Sequence, residues 1–386
     1  MFKKTLLLAA VLSIVSACNS QGEVIHSTWV GGVSEHWEDA GNWSPPFVPD
    51  NNTFVVTING GTGGVLVEAY DHEINSLNTH GNVKFETRDR WDLDITARGG
   101  LTNYGYLKFD QLCVEKGNIY NIGTLFAGPG TEIWGELEFL NSGMIEMYDG
   151  TPSSNLAFAN DHTGVIKGYG ALHSDEAIDN AGLIRSLGGC LMLHSGGGIS
   201  NTGTLKNSPG TSLTIIISVP DAHNQGTISV NADGSVVFDC NLVNAPKGTI
   251  QLVGGTLAAT TVTQKADANF AGFGGITGDV IIDHDGIIKL TGPTNVVGNV
   301  EINTDATLQI SDGTTLVTGH CTCTEGTIHM IGGAIILQGG FTNNNCRIVW
   351  EPGLYTNVAD FNFDGKVNLK DFAYFADTWL WESFVH

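Results

Sequence analysis

LTNYGYL at residues 101–107 returns as IYNIGTL at 119–125, FLNSGMI at 139–145, IDNAGLI at 178–184 and ISNTGTL at 199–205. These stretches share the pattern apolar-x-Asn-x-Gly-x-apolar. Weaker copies are centred on Gly81, Gly164, Gly226, Gly248, Gly286 and Gly326, with Ala306 and Asn345 in place of the glycine. The 240 residues from Gly105 to Asn345 divide into twelve steps of about 20 residues, one of which, near Ala268, is degenerate. A fixed period of this length is typical of a solenoid, in which each repeat buries its apolar face by stacking on its neighbours.

The residues inside each period indicate strands. Segments such as GSVVFD (234–239), TLQIS (307–311) and AIILQ (334–338) are short, rich in β-branched residues and bounded by turn-forming residues. We therefore predict an all-β fold, a parallel β-helix of about thirteen rungs. We expect the motif glycine to occupy a corner with positive φ. We expect the asparagine two residues earlier to bond to the asparagine of the next rung.

The repeats of residues 77–352, which we assign to the solenoid, resemble those of right-handed parallel β-helix proteins, the pectin-lyase-like architecture. The resemblance covers roughly residues 77 to 350. It implies coils of short strands stacked into a rod. Because one fold hosts many activities, it specifies architecture rather than function.

The N-terminal sequence MFKKTLLLAAVLSIVSAC has the features of a secretory signal at residues 1–17, with Lys3 and Lys4 ahead of a short apolar run. Its Val-Ser-Ala-Cys ending resembles a bacterial lipobox. That resemblance implies that Cys18 becomes the acylated first residue. The protein would then be secreted and anchored by lipid to the cell envelope, at the outer membrane or cell surface. The alternative is an ordinary signal peptide with an incidental cysteine.

The net charge limits the classes of molecule that the protein can bind. The formal charge is −23, or −25 once Lys3 and Lys4 are removed, and this argues against nucleic acid as a partner. Cations, neutral glycans and basic proteins remain compatible with this charge.

Six cysteines follow Cys18, at 113, 190, 240, 321, 323 and 346. Their register predicts buried free thiols rather than a regular disulfide framework. The residues at 321, 323 and 346 lie on neighbouring rungs at different offsets, so a pair among them would need a favourable corner.

Residues 18–76 precede the first clear repeat and contain Trp29, Trp37 and Trp43, followed by three prolines at positions 45, 46 and 49. The segment resembles the entry segment ahead of β-helical repeats in bacterial surface proteins. We interpret it as a cap that covers the open apolar end of the solenoid. The alternative hypothesis is a glycan-stacking platform, because indole faces suit sugar rings.

The C-terminal segment, residues 353–386, contains a twelve-residue loop with calcium-ligand spacing. Its expected ligands are Asp360, Asn362, Asp364, the backbone carbonyl of Lys366, Asn368 and Asp371, with Gly365 at the sharp turn. A predicted short helix follows, with an apolar face at residues 372, 375, 376, 379 and 380. Calcium is therefore the expected cofactor.

This loop and helix resemble a type I dockerin repeat, of the single-copy kind that ends secreted planctomycete-type proteins. Two features depart from the family pattern: Phe363 stands at loop position 4, and there is one repeat where a cohesin-binding dockerin has two. The resemblance implies calcium binding and a cohesin-like partner. The alternative is a structural calcium clip that orders the C-terminal helix.

Two hypotheses of function follow. The first is a non-catalytic surface lipoprotein that serves adhesion, glycan binding or envelope structure. The second is an extracellular polysaccharide lyase or glycoside hydrolase of the parallel β-helix class. Charged clusters at 86–94 and at Asp283, His284 and Asp285 offer carboxylate pairs for the second. The repeat spacing of 18 to 24 residues leaves little room for loops that would wall a catalytic groove, which favours the first.

Overall fold

The computed structural model describes residues 24–69, 72–86, 95–108, 111–114, 117–129, 132–135, 137–154 and 157–351. The chain divides into two compact units. Unit 1 holds the described residues up to 146 together with 150–154, and unit 2 holds 147–149 and 157–351. Both units are β-solenoid, with about 13 turns in total, so the predicted fold class is confirmed.

The strands of residues 24–154 are β1 (Ile25–Trp29), β2 (Trp43–Ser44), β3 (Asn51–Asn59), β4 (Val65–Glu68), β5 (His72–His80), β6 (Asn82–Glu86), β7 (Ile95–Asn103), β8 (Tyr106–Lys108), β9 (Gln111–Val114), β10 (Ile119–Asn121), β11 (Thr124–Ala127), β12 (Glu132–Gly135), β13 (Phe139–Asn141) and β14 (Met144–Ser154). A 3-10 turn at Ala40–Asn42 precedes β2. Among the described residues, no helix reaches the length and hydrophobicity needed to cross a lipid bilayer.

The remaining strands belong to unit 2. They are β15 (Phe158–Asn160), β16 (Val165–Ser174), β17 (Ile178–Asn180), β18 (Leu183–Ser195), β19 (Ile199–Asn201), β20 (Thr204–Asn207), β21 (Ser212–Ile217), β22 (Asp221–Asn224), β23 (Thr227–Asn231), β24 (Ser235–Phe238), β25 (Asn241–Asn244), β26 (Thr249–Gln264), β27 (Asn269–Ile282), β28 (Ile287–Val297), β29 (Val300–Ile302), β30 (Thr307–Ile310), β31 (Thr314–Val317), β32 (Cys321–Thr324), β33 (Thr327–Ile331), β34 (Ala334–Leu337), β35 (Phe341–Asn344) and β36 (Arg347–Glu351).

Each turn contributes to three strand columns, and successive turns pair in parallel. Column A ends at the motif asparagine, as in β17, which pairs with β19. Column B follows the motif glycine, as in β20 and β23. Column C completes the turn, as in β21 and β24. The long strand β26 passes through all three columns, pairing in turn with β23, β24 and β25. Alternate side chains point inward, so the burial pattern of β21 is half-buried, buried, half-buried in strict alternation.

The predicted asparagine stack is confirmed, because the motif side chains form hydrogen-bonded ladders inside each unit. In unit 1 Asn103 donates to Asn121 at 2.8 Å, and Asn121 donates to Asn141 at 2.7 Å. In unit 2 the ladder runs through Asn160, Asn180, Asn201, Asn224, Asn244 and Gln264, with donor–acceptor distances of 2.7–2.8 Å. The residues of each bonded pair are 18 to 23 positions apart, which is the period read from the sequence.

The predicted positive φ of the motif glycine is found at Gly81 (φ 68°) and at its substitute Asn345 (φ 62°), but it was wrong for the strongest copies. Gly105, Gly123 and Gly203 are absent from the residues with positive φ. They are required because neighbouring turns approach too closely for a side chain: a Cβ at Gly203 would lie 2.2 Å from the carbonyl oxygen of Gly182. In the later turns the left-handed corner is taken by the residue before the motif position, for example Asp285 (φ 58°) and Asp305 (φ 59°).

The prediction of buried free thiols was wrong for one pair, which lies at the one place where the sequence left a disulfide open, and wrong for Cys190, which is exposed. Cys323 and Cys346 form a disulfide that joins neighbouring turns near the end of unit 2. Cys323 lies in column A, and Cys346 lies in the corner after β35, where its backbone N–H donates to the side chain of Asn343. Asn343 pairs directly with Cys323, so this corner brings the chain back over the partner sulfur. Offsets counted along the sequence do not reveal that return.

The three tryptophans of the N-terminal segment pack together inside unit 1. The ring centroids of Trp29 and Trp43 are 4.9 Å apart, and those of Trp37 and Trp43 are 4.6 Å apart, both with edge-to-face geometry. Both Trp37 and Trp43 also donate their indole N–H to backbone carbonyls, Trp37 to that of Pro49 at 2.8 Å. The imidazole of His72 stacks on Trp37, at a centroid distance of 5.1 Å. A dense aromatic core therefore forms around the first strands.

Candidate functional site

A groove runs along the corner between columns B and C of unit 2. It encloses about 630 Å³ and is lined by corner residues of four successive turns, at 189–190, 210–212, 233–235 and 254–256. Each of these corners contains at least one glycine. A Cβ added at Gly210 would meet nothing within 4 Å, so a side chain there would project into open space. At Gly234 and Gly255 a Cβ would instead lie 2.3 and 2.1 Å from carbonyl oxygens of the preceding turn, so these glycines allow the turns to pack closely.

Small polar side chains form the floor of this groove. The strand register places Cys190, Ser212, Ser235 and Thr256 in one row, one from each turn. The hydroxyl oxygens of Ser212 and Ser235 are 2.5 Å apart and hydrogen-bond to each other. Hydroxyls both donate and accept, so a row of them at the spacing of the turns, about 4.8 Å, offers repeated polar contacts to an extended ligand.

An aromatic ring borders the groove on each side along the solenoid axis. Tyr169, on the turn before Gly189, lies so close to that glycine that a Cβ there would be 3.2 Å from the Tyr169 ring. Phe273, on the turn after Gly254, would lie 3.4 Å from a Cβ at that position. The Phe273 side chain is 40% exposed. Phe273 also lies against Gly292 of the following turn, and Tyr169 meets Tyr148 in edge-to-face geometry with centroids 6.0 Å apart. The rings therefore offer the groove their exposed edges.

The groove carries little charge. Among its lining residues Asp233 is the single carboxylate, and no lysine, arginine or histidine lines it. Asp233 is exposed and adopts a left-handed backbone conformation (φ 55°) at its corner. Glycoside hydrolysis uses a pair of carboxyl groups on opposite sides of the bond that breaks. The lining supplies one such group, together with hydroxyls suited to binding.

The predicted glycan-stacking residues do not form an open platform. Trp29, Trp37 and Trp43 are 5%, 0% and 2% exposed, so their ring faces are covered by protein. Their rings pack against one another within unit 1. Cys18 and the calcium loop from Asp360 to Asp371 lie outside the described residues, and so do residues 87–94 of the early charged cluster.

The cluster at Asp283, His284 and Asp285 separates into different environments. Asp283 bonds to the ammonium group of Lys265 at 2.5 Å, and this hydrogen bond lowers the pKa of its carboxyl group. Next to it, His284 and Asp285 lie on the exposed corner with Asp305 of the following turn, with potential metal-ligating atoms within 4.8 Å of one another. Calcium takes six to eight oxygen ligands, so these three side chains alone form an incomplete set.

Sequence reasoning did not identify the groove. Apart from Cys190 and Asp233, its residues are Gly, Ser and Thr, which in a sequence of repeated turns are indistinguishable from ordinary corner residues. One available signal was the double glycines at 188–189 and 254–255, which recur where columns B and C meet. No known family matches this chain, and no curated protein or solved structure is significantly similar to it.

Proposed function

We propose that this protein is a non-catalytic cell-surface scaffold that binds a neutral polysaccharide along the groove of unit 2. The observation that supports this proposal is the groove itself, an open polar channel over four turns with an aromatic ring at each side. Three steps of about 4.8 Å give the floor a length of roughly 14 Å, which suits an extended chain rather than a compact small molecule.

The chemistry of the lining supports a sugar ligand. The hydroxyls of Ser212, Ser235 and Thr256 can donate to and accept from the hydroxyls of a polysaccharide. The exposed parts of the Tyr169 and Phe273 rings provide apolar surface, against which the C–H groups of a sugar can pack. Specific small-ligand sites combine apolar area with a few placed polar groups in the same way.

Charge supports a neutral polymer over an acidic one. The chain carries a formal charge of −23, and the groove offers an acidic side chain and no basic one to an incoming ligand. A polyanionic glycan would meet repulsion from the protein as a whole and find no cationic partner in the groove.

The lipid anchor on Cys18 and the calcium-binding loop at residues 360–371 belong to the same proposal. A scaffold tethered by its N-terminal lipid would present the solenoid to polysaccharide outside the cell. The donor set of the loop is entirely oxygen, which is the chemistry that calcium prefers. A cohesin-like partner at the tail is part of the alternative, in which an enzyme is attached to an assembly.

The test is calorimetric titration of the full chain with neutral and acidic polysaccharides, comparing the wild type with Phe273→Ala and Tyr104→Ala. Tyr104 is the matched control, because it is an exposed aromatic of unit 1 that stacks on His80 with centroids 4.7 Å apart. Loss of the Phe273 ring should weaken binding of a neutral glycan about tenfold, equivalent to about 1.4 kcal/mol. The control should bind as the wild type does.

Three outcomes would contradict the proposal. Absence of binding to any neutral polysaccharide would refute the proposal. Loss of binding in Tyr104→Ala alone would show that the binding site lies in unit 1. Release of unsaturated or reducing products during incubation would show catalysis and favour the lyase or hydrolase function instead.

A further inference from the structure

Among the described residues, no further turn covers the apolar interior of the solenoid beyond the last turn of unit 2. Ile348 pairs with Ile328, which is 2% exposed, yet Ile348 itself is 53% exposed. Phe341 pairs with the fully buried Cys321 and is 36% exposed. Trp350, in the same inward-facing row as Ile348, is 50% exposed. These three side chains point along the buried columns of the preceding turn, so they mark an open end of the hydrophobic core.

This end is a fixed surface rather than a frayed one. The Cys323–Cys346 disulfide ties the corner between β35 and β36 to the turn before it. The backbone N–H of Arg347 donates to the carbonyl of Gly326 at 2.9 Å, and β36 continues in register with β33 over five residues. Beyond β36 the strand edge has no further turn to pair with among the described residues. Solenoids need their terminal repeats covered, because an exposed edge and apolar end invite association.

We propose that residues 352–386 of the same chain cover this end, with the apolar face of the predicted C-terminal helix packed on Phe341, Ile348 and Trp350. The segment follows β36 directly, so it begins at the surface that needs covering. Its sequence places Phe372, Phe375, Trp379 and Leu380 on one helical face. If the helix packs on the end of the solenoid, both remove apolar surface from water, which stabilises the contact.

Tethering favours this segment over a second copy of the chain. A segment joined by a short linker acts at an effective concentration in the millimolar range, far above the concentration of a free protein partner. Two copies would also bring together chains that each carry a formal charge of −23. The inference does not depend on the polysaccharide groove, which lies in earlier turns of unit 2.

The test is hydrogen exchange of the full chain, read by mass spectrometry on peptides from residues 341–351. In the wild type these backbone amides should be protected. Phe375→Asp places a charge in the proposed contact and should raise their exchange rates tenfold or more. Tyr374→Asp is the matched control, because it makes the same kind of change one residue away, on the opposite face of the predicted helix. It should leave the exchange rates unchanged.

A reciprocal pair of substitutions tests the solenoid side. Ile348→Asp should raise the exchange of residues 372–380 tenfold or more. Ile336→Asp, which alters an outward-facing side chain of the same turn that is 50% exposed, should not. Unprotected amides at 341–351 in the wild type, or protection that survives Phe375→Asp, would overturn the inference. Protection that disappears on dilution, together with a dimer in sedimentation, would assign the end to a second copy. Glycan binding by Phe375→Asp should match the wild type, so failure of this inference is distinct from failure of the proposed function.

Discussion

The free thiols of unit 2 occupy opposite environments. Cys190 is exposed at the edge of the groove, with its sulfur 3.6 Å from the hydroxyl of Thr214. Cys240 and Cys321 are buried, at 6% and 0% exposure. Burial penalises the thiolate, which raises the pKa of Cys240 and of Cys321 to about 11 in each case. In Cys240 the nearby carboxylate of Asp239 raises the pKa further.

We predict that iodoacetamide at pH 8 labels Cys190 and leaves Cys240 and Cys321 unlabelled in the folded protein. Because the thiolate is the nucleophile, a pKa of about 11 leaves about one thiol in a thousand reactive at pH 8. Labelling of the buried pair should rise about tenfold per pH unit until the pH reaches that pKa. Peptide mass spectrometry before and after denaturation in urea measures this. Equal labelling of Cys190 and Cys240 in the folded state would contradict the assigned burial.

At the scale of the strand, the asparagine ladder adds side-chain hydrogen bonds between successive turns to the backbone pairing of their strands. Asn180 is 1% exposed, accepts from Asn160, and donates to Asn201 at 2.7 Å and to the carbonyl of Thr204 at 3.3 Å. Every rung depends on the amide above and below it. A defect at one rung therefore leaves unpaired groups on its neighbours.

We predict that Asn180→Asp destabilises unit 2 by about 3 kcal/mol, since it keeps the shape but removes both donated hydrogen bonds and buries a carboxylate against carbonyl oxygens. The matched control is Asp179→Asn, the reverse change at the adjacent outward-facing and exposed position, with an expected effect within about 0.5 kcal/mol. Urea unfolding measures both. In a solenoid the effect should be local, so exchange should rise most in β15, β17 and β19. A cost as small for Asn180→Asp as for the control would show that the ladder contributes little.

The sequence was sufficient to predict the repeat, the strands and the ladder, because all three depend on spacing along one chain. The Asn180–Asn201 bond follows from a 20-residue period and an inward-pointing polar side chain. The reason for Gly203 did not follow, because its closest neighbour is the Gly182 carbonyl of another turn. The Cys323–Cys346 bond, which the sequence left open only if a corner favoured it, could not be predicted for the same reason. Distances between turns are set by how corners fold, and corner geometry is not encoded in the period.

At the scale of the whole molecule, the groove depends on how several turns align, whereas the net charge depends only on composition. The groove arises where glycine corners of several turns align, so no single repeat contains its signal. The charge is a sum: Asp and Glu total 40 against 17 Lys and Arg, and the excess is distributed along the chain. Such a surface attracts cations diffusely. Specific calcium binding must therefore be measured in enough salt to screen this diffuse attraction.

We predict that, at 0.15 M salt, the full chain binds one calcium ion and that the site is the loop at residues 360–371. At this ionic strength the screening length is about 8 Å, so diffuse attraction to the acidic surface is largely removed. A loop that gathers six oxygen ligands holds the ion under these conditions. Asp364→Ala removes a carboxylate from loop position 5 and should weaken calcium binding tenfold or more in calorimetry. Asp305→Asn alters the exposed corner beside His284 and Asp285, which offers too few ligands, and should leave the affinity unchanged. If Asp305→Asn loses the ion and Asp364→Ala keeps it, the calcium site belongs to the solenoid corner and not to the loop.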